Sequence, residues 1–296
     1  MRIAILGCGY VGCSLAERLV ESDHTVYGIR RSSDRRGAIE ATGAEAVVAD
    51  MTDPASLAAI PSVDGVVIAV STGGADAATT RSVLVDGLTD AIRTFASRPN
   101  PPERVVYTST TGVYGNHDDE WVDETTDLAP GSSKTAVFAE AELVCRSVAN
   151  QHDIDPVVAR LGGVYGPDRY RISSTLSRPI YPGYRNLIHR DDAGGALAQF
   201  VTEGAGDHDT VLVVDNEPVR RTEFVHWIAA EVGQSPPEQA DPASLLDDPD
   251  RSPASIRRLR ESKRCDNSRL RRLGYELDYP TFREGYATAV REYRSS

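Results

Sequence analysis

A doubly wound α/β fold, a parallel sheet with a small C-terminal α/β domain attached, is predicted by three observations. Short apolar runs alternate with segments of helical periodicity through the first half of the chain. Several of these runs end in small or polar residues, as strands do where their carboxyl ends open into a crevice. The first run, Ile3-Ala4-Ile5-Leu6, passes into Gly7-Cys8-Gly9-Tyr10-Val11-Gly12 and then into a helical pattern marked by Leu15, Leu19 and Val20.

In that opening, Gly7 permits a tight turn, Gly9 lets the backbone approach a pyrophosphate, and Gly12 lets the helix pack on the strand. The segment Gly7 to Gly12, with Cys8, Tyr10 and Val11 inside it, therefore reads as a Rossmann-type dinucleotide loop whose amides and helix end receive the anion. Cys8 is expected to be a small residue facing the cofactor. The second strand, Thr25 to Ile29, ends in Arg30-Arg31, where a carboxylate for a ribose 2′-hydroxyl is usual. A guanidinium can clamp a 2′-phosphate that a carboxylate would repel, so NADP is expected over NAD. The alternative is that one of the arginines is simply solvated.

Ala46 to Ala49 forms the third strand, before Asp50 and Met51, and Gly65 to Val70 the fourth, before Ser71. Asp50, Met51, Ala69, Val70 and Ser71 are thus expected around the adenine and ribose. Val83, Leu84, Leu88, Ala91, Ile92 and Phe95 recur at helical spacing until Pro99, Pro101 and Pro102 stop the helix. A fifth strand follows at Arg104 to Ser109. A long helix is predicted over Ser132 to Gln151, with Val137, Ala141, Val144 and Val148 on its apolar face, and a strand over Pro156 to Leu161. Beyond Asp168 the pattern breaks up, with later signals at Val211 to Val214 and Phe224 to Val232. The expected division is a dinucleotide-binding domain over 1–166, to which later strands return, and a mostly substrate-binding domain over 167–296. Within the latter, the acidic, proline-containing stretch 234–255 reads as a mobile excursion.

Composition narrows the function classes. A net charge of −12 over 296 residues opposes sequence-independent binding to nucleic acid. Only Lys134 and Lys263 are lysines, so thirty of the thirty-two basic residues are arginine; salt adaptation and GC-rich codon usage both account for that bias. Cys8, Cys13, Cys145 and Cys265 show no metal-like spacing and suit a reduced, cytoplasmic protein. No run approaches a signal peptide or a membrane span in length.

Three further segments follow strands in order: Ser109-Thr110-Thr111-Gly112-Val113-Tyr114-Gly115, Arg160-Leu161-Gly162-Gly163-Val164-Tyr165-Gly166-Pro167, and Leu187-Ile188-His189-Arg190-Asp191-Asp192-Ala193. With the opening, they closely resemble the extended short-chain dehydrogenase/reductase family, the nucleotide-sugar epimerases and dehydratases and their relatives. The resemblance spans Met1 to about Ala198 and continues weakly to Tyr279–Gly285. Two departures stand out. The first glycine interval is one residue shorter than usual, which looks like the atypical branch of the family. The family's Tyr-x-x-x-Lys pair, in which lysine lowers the tyrosine pKa for proton exchange, is missing altogether. Where the family reads Pro-x-Ser-x-Tyr, this chain reads Pro130-Gly131-Ser132-Ser133-Lys134, so Lys134 takes the tyrosine position and Phe138 that of the lysine.

The resemblance places Thr110 at the family's catalytic serine or threonine, where it either orients a substrate carbonyl or caps a turn. Thr111 beside it is assigned to substrate. Lys134 is either a desolvated proton donor or a solvated residue at a helix start. Tyr114 and Tyr165 are expected to pack, and His189 with Asp191 and Asp192 to be structural rather than metal-binding. Arg169, Arg171, Arg178 and Arg185, interleaved with Tyr170, Tyr181 and Tyr184, form either an anion and ring clamp for substrate or a cluster due to composition. Family members often dimerise through two long helices, here near 82–98 and 132–151, so a homodimer is expected. Two functions remain open: an oxidoreductase or epimerase/dehydratase relative with an altered proton relay, and a catalytically silent NADP-binding redox sensor.

Overall fold

The computed structural model describes residues 1–206, 209–241, 256 and 259–295. Its centre is a seven-stranded sheet made of β1 (Arg2–Leu6), β2 (Thr25–Arg30), β3 (Glu45–Val48), β4 (Gly65–Ile68), β5 (Arg104–Thr110), β7 (Asp155–Leu161) and β11 (Thr210–Val213). The spatial order is β11-β7-β5-β4-β1-β2-β3, and every pairing is parallel. Leu6 stands opposite Ile29 on one side and Ile68 on the other, so β1, β2 and β4 end level and open one crevice.

Alternation along β1 divides the interior. Ile3 and Ile5 point into one core with Leu15 and Leu19 of α1 (Tyr10–Glu21) and Leu197 and Phe200 of α8 (Arg190–Glu203). Ala4 and Leu6 point into the other, with Leu88, Ile92 and Phe95 of α5 (Leu88–Ala96) and Val137 and Ala141 of α6 (Ser133–Asn150). Helices on both faces leave the central strands dry, and each fully buried Leu, Ile or Phe contributes about 1.5–3 kcal/mol.

Local chemistry sets the helix boundaries. Ser132 caps α6, its hydroxyl accepting from the Thr135 amide while Thr135 reaches back to the Ser132 amide. The helix expected near Val83 begins earlier, at Ala77, because the Asp76 carboxylate accepts from the Thr79 amide at 2.7 Å. It then passes through a π turn, Ser82–Gly87, before α5.

A third apolar cluster joins Tyr165, Ile172, Ile180, Leu187, Phe224, Ile228, Phe282 and Tyr286, with the Tyr165 and Tyr286 rings stacked at 4.8 Å. The chain does not stay there after Gly166: α8 packs on α1, and β11 extends the main sheet beyond β7. The start of the acidic stretch is tied down, the Ala240 amide donating to the Ile180 carbonyl at 2.8 Å. Residues 242–255 of that stretch lie outside the described residues. No helix among the described residues is long and apolar enough to cross a membrane.

Candidate active site

The turn after β1 is built for close approach. Gly7 adopts φ +84°, and a Cβ there would lie 2.7 Å from the Ala69 carbonyl oxygen and the Val70 Cα. Only glycine fits that conformation without strain. The Gly7 and Cys8 amides both donate to the Ile29 carbonyl, at 3.1 and 3.0 Å, tying the turn to the end of β2. A Cβ on Gly12 would come within 3.0 Å of the Gly7 oxygen and 3.3 Å of Ile5 Cγ2, so α1 sits directly on β1. The amides of Tyr10, Val11 and Gly12, in the first turn of α1, have no helix carbonyl to reach and present the positive end of the helix dipole.

A cavity of about 550 Å³ opens over this turn, lined by Gly7, Gly9, Tyr10, Val11, Arg30, Arg31, Asp50, Met51, Ala69, Val70, Ser71 and Thr110, among others. Arg30 Nη1 donates to the Cys8 carbonyl at 3.3 Å and lies the same distance from where a Gly9 Cβ would stand. Arg31 is exposed at the rim. The Asp50 carboxylate turns to its own loop, accepting from the amide and hydroxyl of Thr52.

Cys8 differs from expectation. Its side chain is fully buried against Gly28 and the α1 core, not turned to the cavity, because the turn at Gly7, with φ +84°, breaks the alternation of β1 and puts Cys8 on the side of Ile3 and Ile5. Its hydrogen bond with Cys13, and then burial, hold the thiol protonated well above the ordinary range.

A second cavity, also of about 550 Å³, meets the first at Thr110, Gly162, Val164 and Arg169. Thr110 caps the turn that follows β5, its hydroxyl accepting from the Gly112 amide at 3.1 Å, and it lines both cavities. Of the two roles left open for it, the structure shows the cap of a turn. Thr111, nearly buried, lines the second cavity only. Arg169 lies 3.9 Å over the Tyr10 ring, and the Tyr10 hydroxyl donates to the Pro167 carbonyl at 2.8 Å, so the loop after Gly166 folds back over the dinucleotide turn. Arg171, in a left-handed conformation, and Arg178 line the second cavity with Arg185, Arg221 and Lys263; the carboxylate in that lining is Glu261.

Lys134 lines neither cavity. Its ammonium donates to the carbonyls of Gly73 (2.6 Å) and Ala75 (3.0 Å), stapling the loop after β4 to the start of α6. Phe138, one turn on, lines the first cavity. Tyr114 and Tyr165 are buried. His189 caps α8 by accepting from the Asp191 amide at 3.3 Å, and burial against Tyr279 lowers its pKa to about 4.

Two features escaped sequence reasoning. The first is a buried network under the end of β5. Glu142 accepts from the Ser109 hydroxyl at 2.5 Å and from Arg160 Nη2 at 2.7 Å, and Arg160 Nη1 donates to the Tyr114 hydroxyl at 2.6 Å. A glutamate between Ala141 and Cys145 on the apolar face of α6 was the available signal. The second is Lys263, 6 % exposed, whose ammonium donates to the Gly115 carbonyl at 2.7 Å.

Comparisons with known proteins agree with this geometry. A family model described as the NAD-dependent epimerase/dehydratase family matches residues 3–211. No curated protein sequence matches. Among solved structures, a putative NAD-dependent epimerase/dehydratase from Methylobacillus flagellatus is 28 % identical, with 99 % of this chain and 98 % of that chain covered and a TM-score of 0.78. A conserved protein of unknown function from Silicibacter pomeroyi is also 28 % identical, covering 98 % of both chains at a TM-score of 0.77. Human epimerase family protein SDR39U1, solved with NADPH, shares the fold at 18 % identity and a TM-score of 0.75 over 100 % of both chains.

Proposed function

The chain belongs to the NAD-dependent epimerase/dehydratase family, and from that membership we propose that it is an NADP-dependent oxidoreductase or epimerase/dehydratase-like enzyme. Its substrate on this reading is a small carbonyl or hydroxyl compound bearing an anionic group. The observation that carries the proposal is the junction of the two cavities at Thr110.

The first cavity fits a dinucleotide. Its floor is a turn that a Cβ on Gly7 would block, and its end is the unsatisfied first turn of α1. Tyr10, Val11 and Gly12 would hold the pyrophosphate, and Arg30 and Arg31, both in the cavity lining at the end of β2, favour a 2′-phosphate. When bound, the nicotinamide supplies two-electron oxidation and reduction. The protein's share is to bind, orient and exclude water.

The second cavity supports an anionic substrate. Five arginines and a lysine against one glutamate make it strongly positive in a molecule whose net charge is −12. Thr110, fixed by the Gly112 amide, would hold the reacting oxygen of the substrate by a hydrogen bond. In this proposal Lys134 takes no part in proton exchange, its ammonium being spent on two loop carbonyls. The homodimer expected through the helices near 82–98 and 132–151 remains part of the proposal.

Titration with NADPH and NADH, followed by nicotinamide absorbance against phosphorylated and unphosphorylated aldehydes, keto sugars and nucleotide sugars, tests the reading. Turnover of an anionic compound, abolished in Thr110→Ala, is the expected result. Tight NADPH binding with no turnover across the panel would return the protein to the silent redox-sensor reading.

A further inference from the structure

Lysine is almost absent from this chain, with arginine at thirty of thirty-two basic positions, yet one of its two lysines is buried in the wall of the second cavity. Burying an ammonium costs free energy that a solvated arginine would avoid, so the position calls for a reason. Arginine presents a broad planar fork, whereas lysine presents a compact point charge.

The surrounding structure fixes where that charge stands. The Asn186 amide grips the backbone on both sides, donating to the Lys263 carbonyl at 3.1 Å and accepting from the Cys265 amide at 2.7 Å. The preceding residue is held as firmly: the Ser262 amide donates to Asn116 Oδ1, and the His117 amide donates to the Ser262 carbonyl, both at 2.9 Å. Arg264 and Cys265 then pair with Trp121 and Val122. At the tip, the ammonium donates to the carbonyl of Gly115, which adopts φ +64° and where any Cβ would collide with the Ala129 carbonyl. Thr110 accepts from one end of the 111–115 turn and Lys263 donates to the other, so a single rigid turn sets the ammonium relative to the threonine hydroxyl.

We propose that Lys263 is a specificity-determining residue, whose ammonium meets an oxyanion of the substrate, a phosphate or a carboxylate, at the inner wall of the second cavity. The proposal rests on the reading of that cavity as the substrate chamber. It adds which side chain contacts the charged group.

Calorimetry with the cofactor site saturated by NADPH, using inorganic pyrophosphate and citrate as separate probes, tests it. Wild type should bind at least one probe, and the two arms distinguish phosphate from carboxylate. Lys263→Met should weaken that binding tenfold or more while its NADPH affinity stays within twofold of wild type, and Lys263→Arg should restore less than half of the loss on a logarithmic scale. Equal binding by wild type and Lys263→Met overturns the role of Lys263 and leaves the chamber standing. Failure of wild type to bind either probe withdraws both. Labelling of wild type by pyridoxal 5′-phosphate and borohydride remains decisive if the variants do not fold. Peptide mapping should find Lys263 modified and protected at least fivefold by the bound probe; an unmodified or unprotected Lys263 overturns the proposal.

Discussion

At the scale of single residues, the 2′-phosphate preference depends on Arg30. Its guanidinium is held beside the dinucleotide turn by the Cys8 carbonyl, with space left by Gly9. Arg30→Asp should replace a clamp by a repulsion, lowering NADPH affinity by about 1.5–3 kcal/mol, roughly ten- to hundredfold, while NADH affinity changes little. Fluorescence titration with both nucleotides measures the ratio; an unchanged ratio would show that the discrimination lies elsewhere. The glycines of this turn were legible in the sequence because their spacing encodes backbone constraints that are local. The direction of Cys8 was not, since nothing in the motif shows that the turn at Gly7 breaks the alternation of β1 and places that thiol in the core beside Ile3 and Ile5.

At the scale of elements, two polar ties hold the strand ends around the crevice, and their deletion should have opposite signatures. Glu142 couples α6 to β5 through Ser109 and to β7 through Arg160, with both ionic partners almost fully buried. Glu142→Ala strands the Arg160 charge and should destabilise the fold by about 3–5 kcal/mol, read as a shifted urea midpoint. Lys134 is half-exposed, and its bonds end on a loop, so Lys134→Met should leave that midpoint nearly unchanged. It should instead weaken NADPH binding by about 1 kcal/mol, roughly fivefold, because the loop carrying Ala75 to the cavity loses its staple. A collapse of turnover with cofactor affinity intact would instead make Lys134 a proton donor. The strands and the start of α6 were readable from apolar runs and from Ser132. The early helix start at Ala77 was missed because Asp76, its cap, precedes the first apolar period, and the π turn has no sequence pattern of its own.

At the scale of the whole molecule, order along the sheet follows from alternating apolar periods, but the second cavity does not. It joins Thr110, Arg171, Arg221 and Lys263 from segments separated by 42 to 61 residues at a time, and no local pattern announces such a convergence. Outside that cavity, the fold also buries acids near one another. Asp215, following β11, is 1 % exposed, and burial first, then nearby carboxylates, raises its pKa to about 8. Asp192, which accepts from the Asp278 and Tyr279 amides, is raised to about 6, again chiefly by burial. A carboxyl whose folded pKa lies above its unfolded value keeps its proton longer in the native state. Stability is therefore fully present below the unfolded value near 4 and declines as pH rises toward the folded value. For Asp215 that window runs from about 4 to about 8, with a slope of up to about 1.4 kcal/mol per pH unit. His189, lowered to about 4, acts in the other direction, removing stability as pH falls from about 6.5. Wild type should thus show a shallow maximum on the acid side of neutrality. Asp215→Asn keeps the shape, including the oxygen that accepts from the Glu217 amide, and cannot ionise. Its urea midpoint should exceed that of wild type by a margin that widens from pH 5 to pH 8. Parallel curves for the two proteins would mean that Asp215 ionises in the native state as readily as in the unfolded chain.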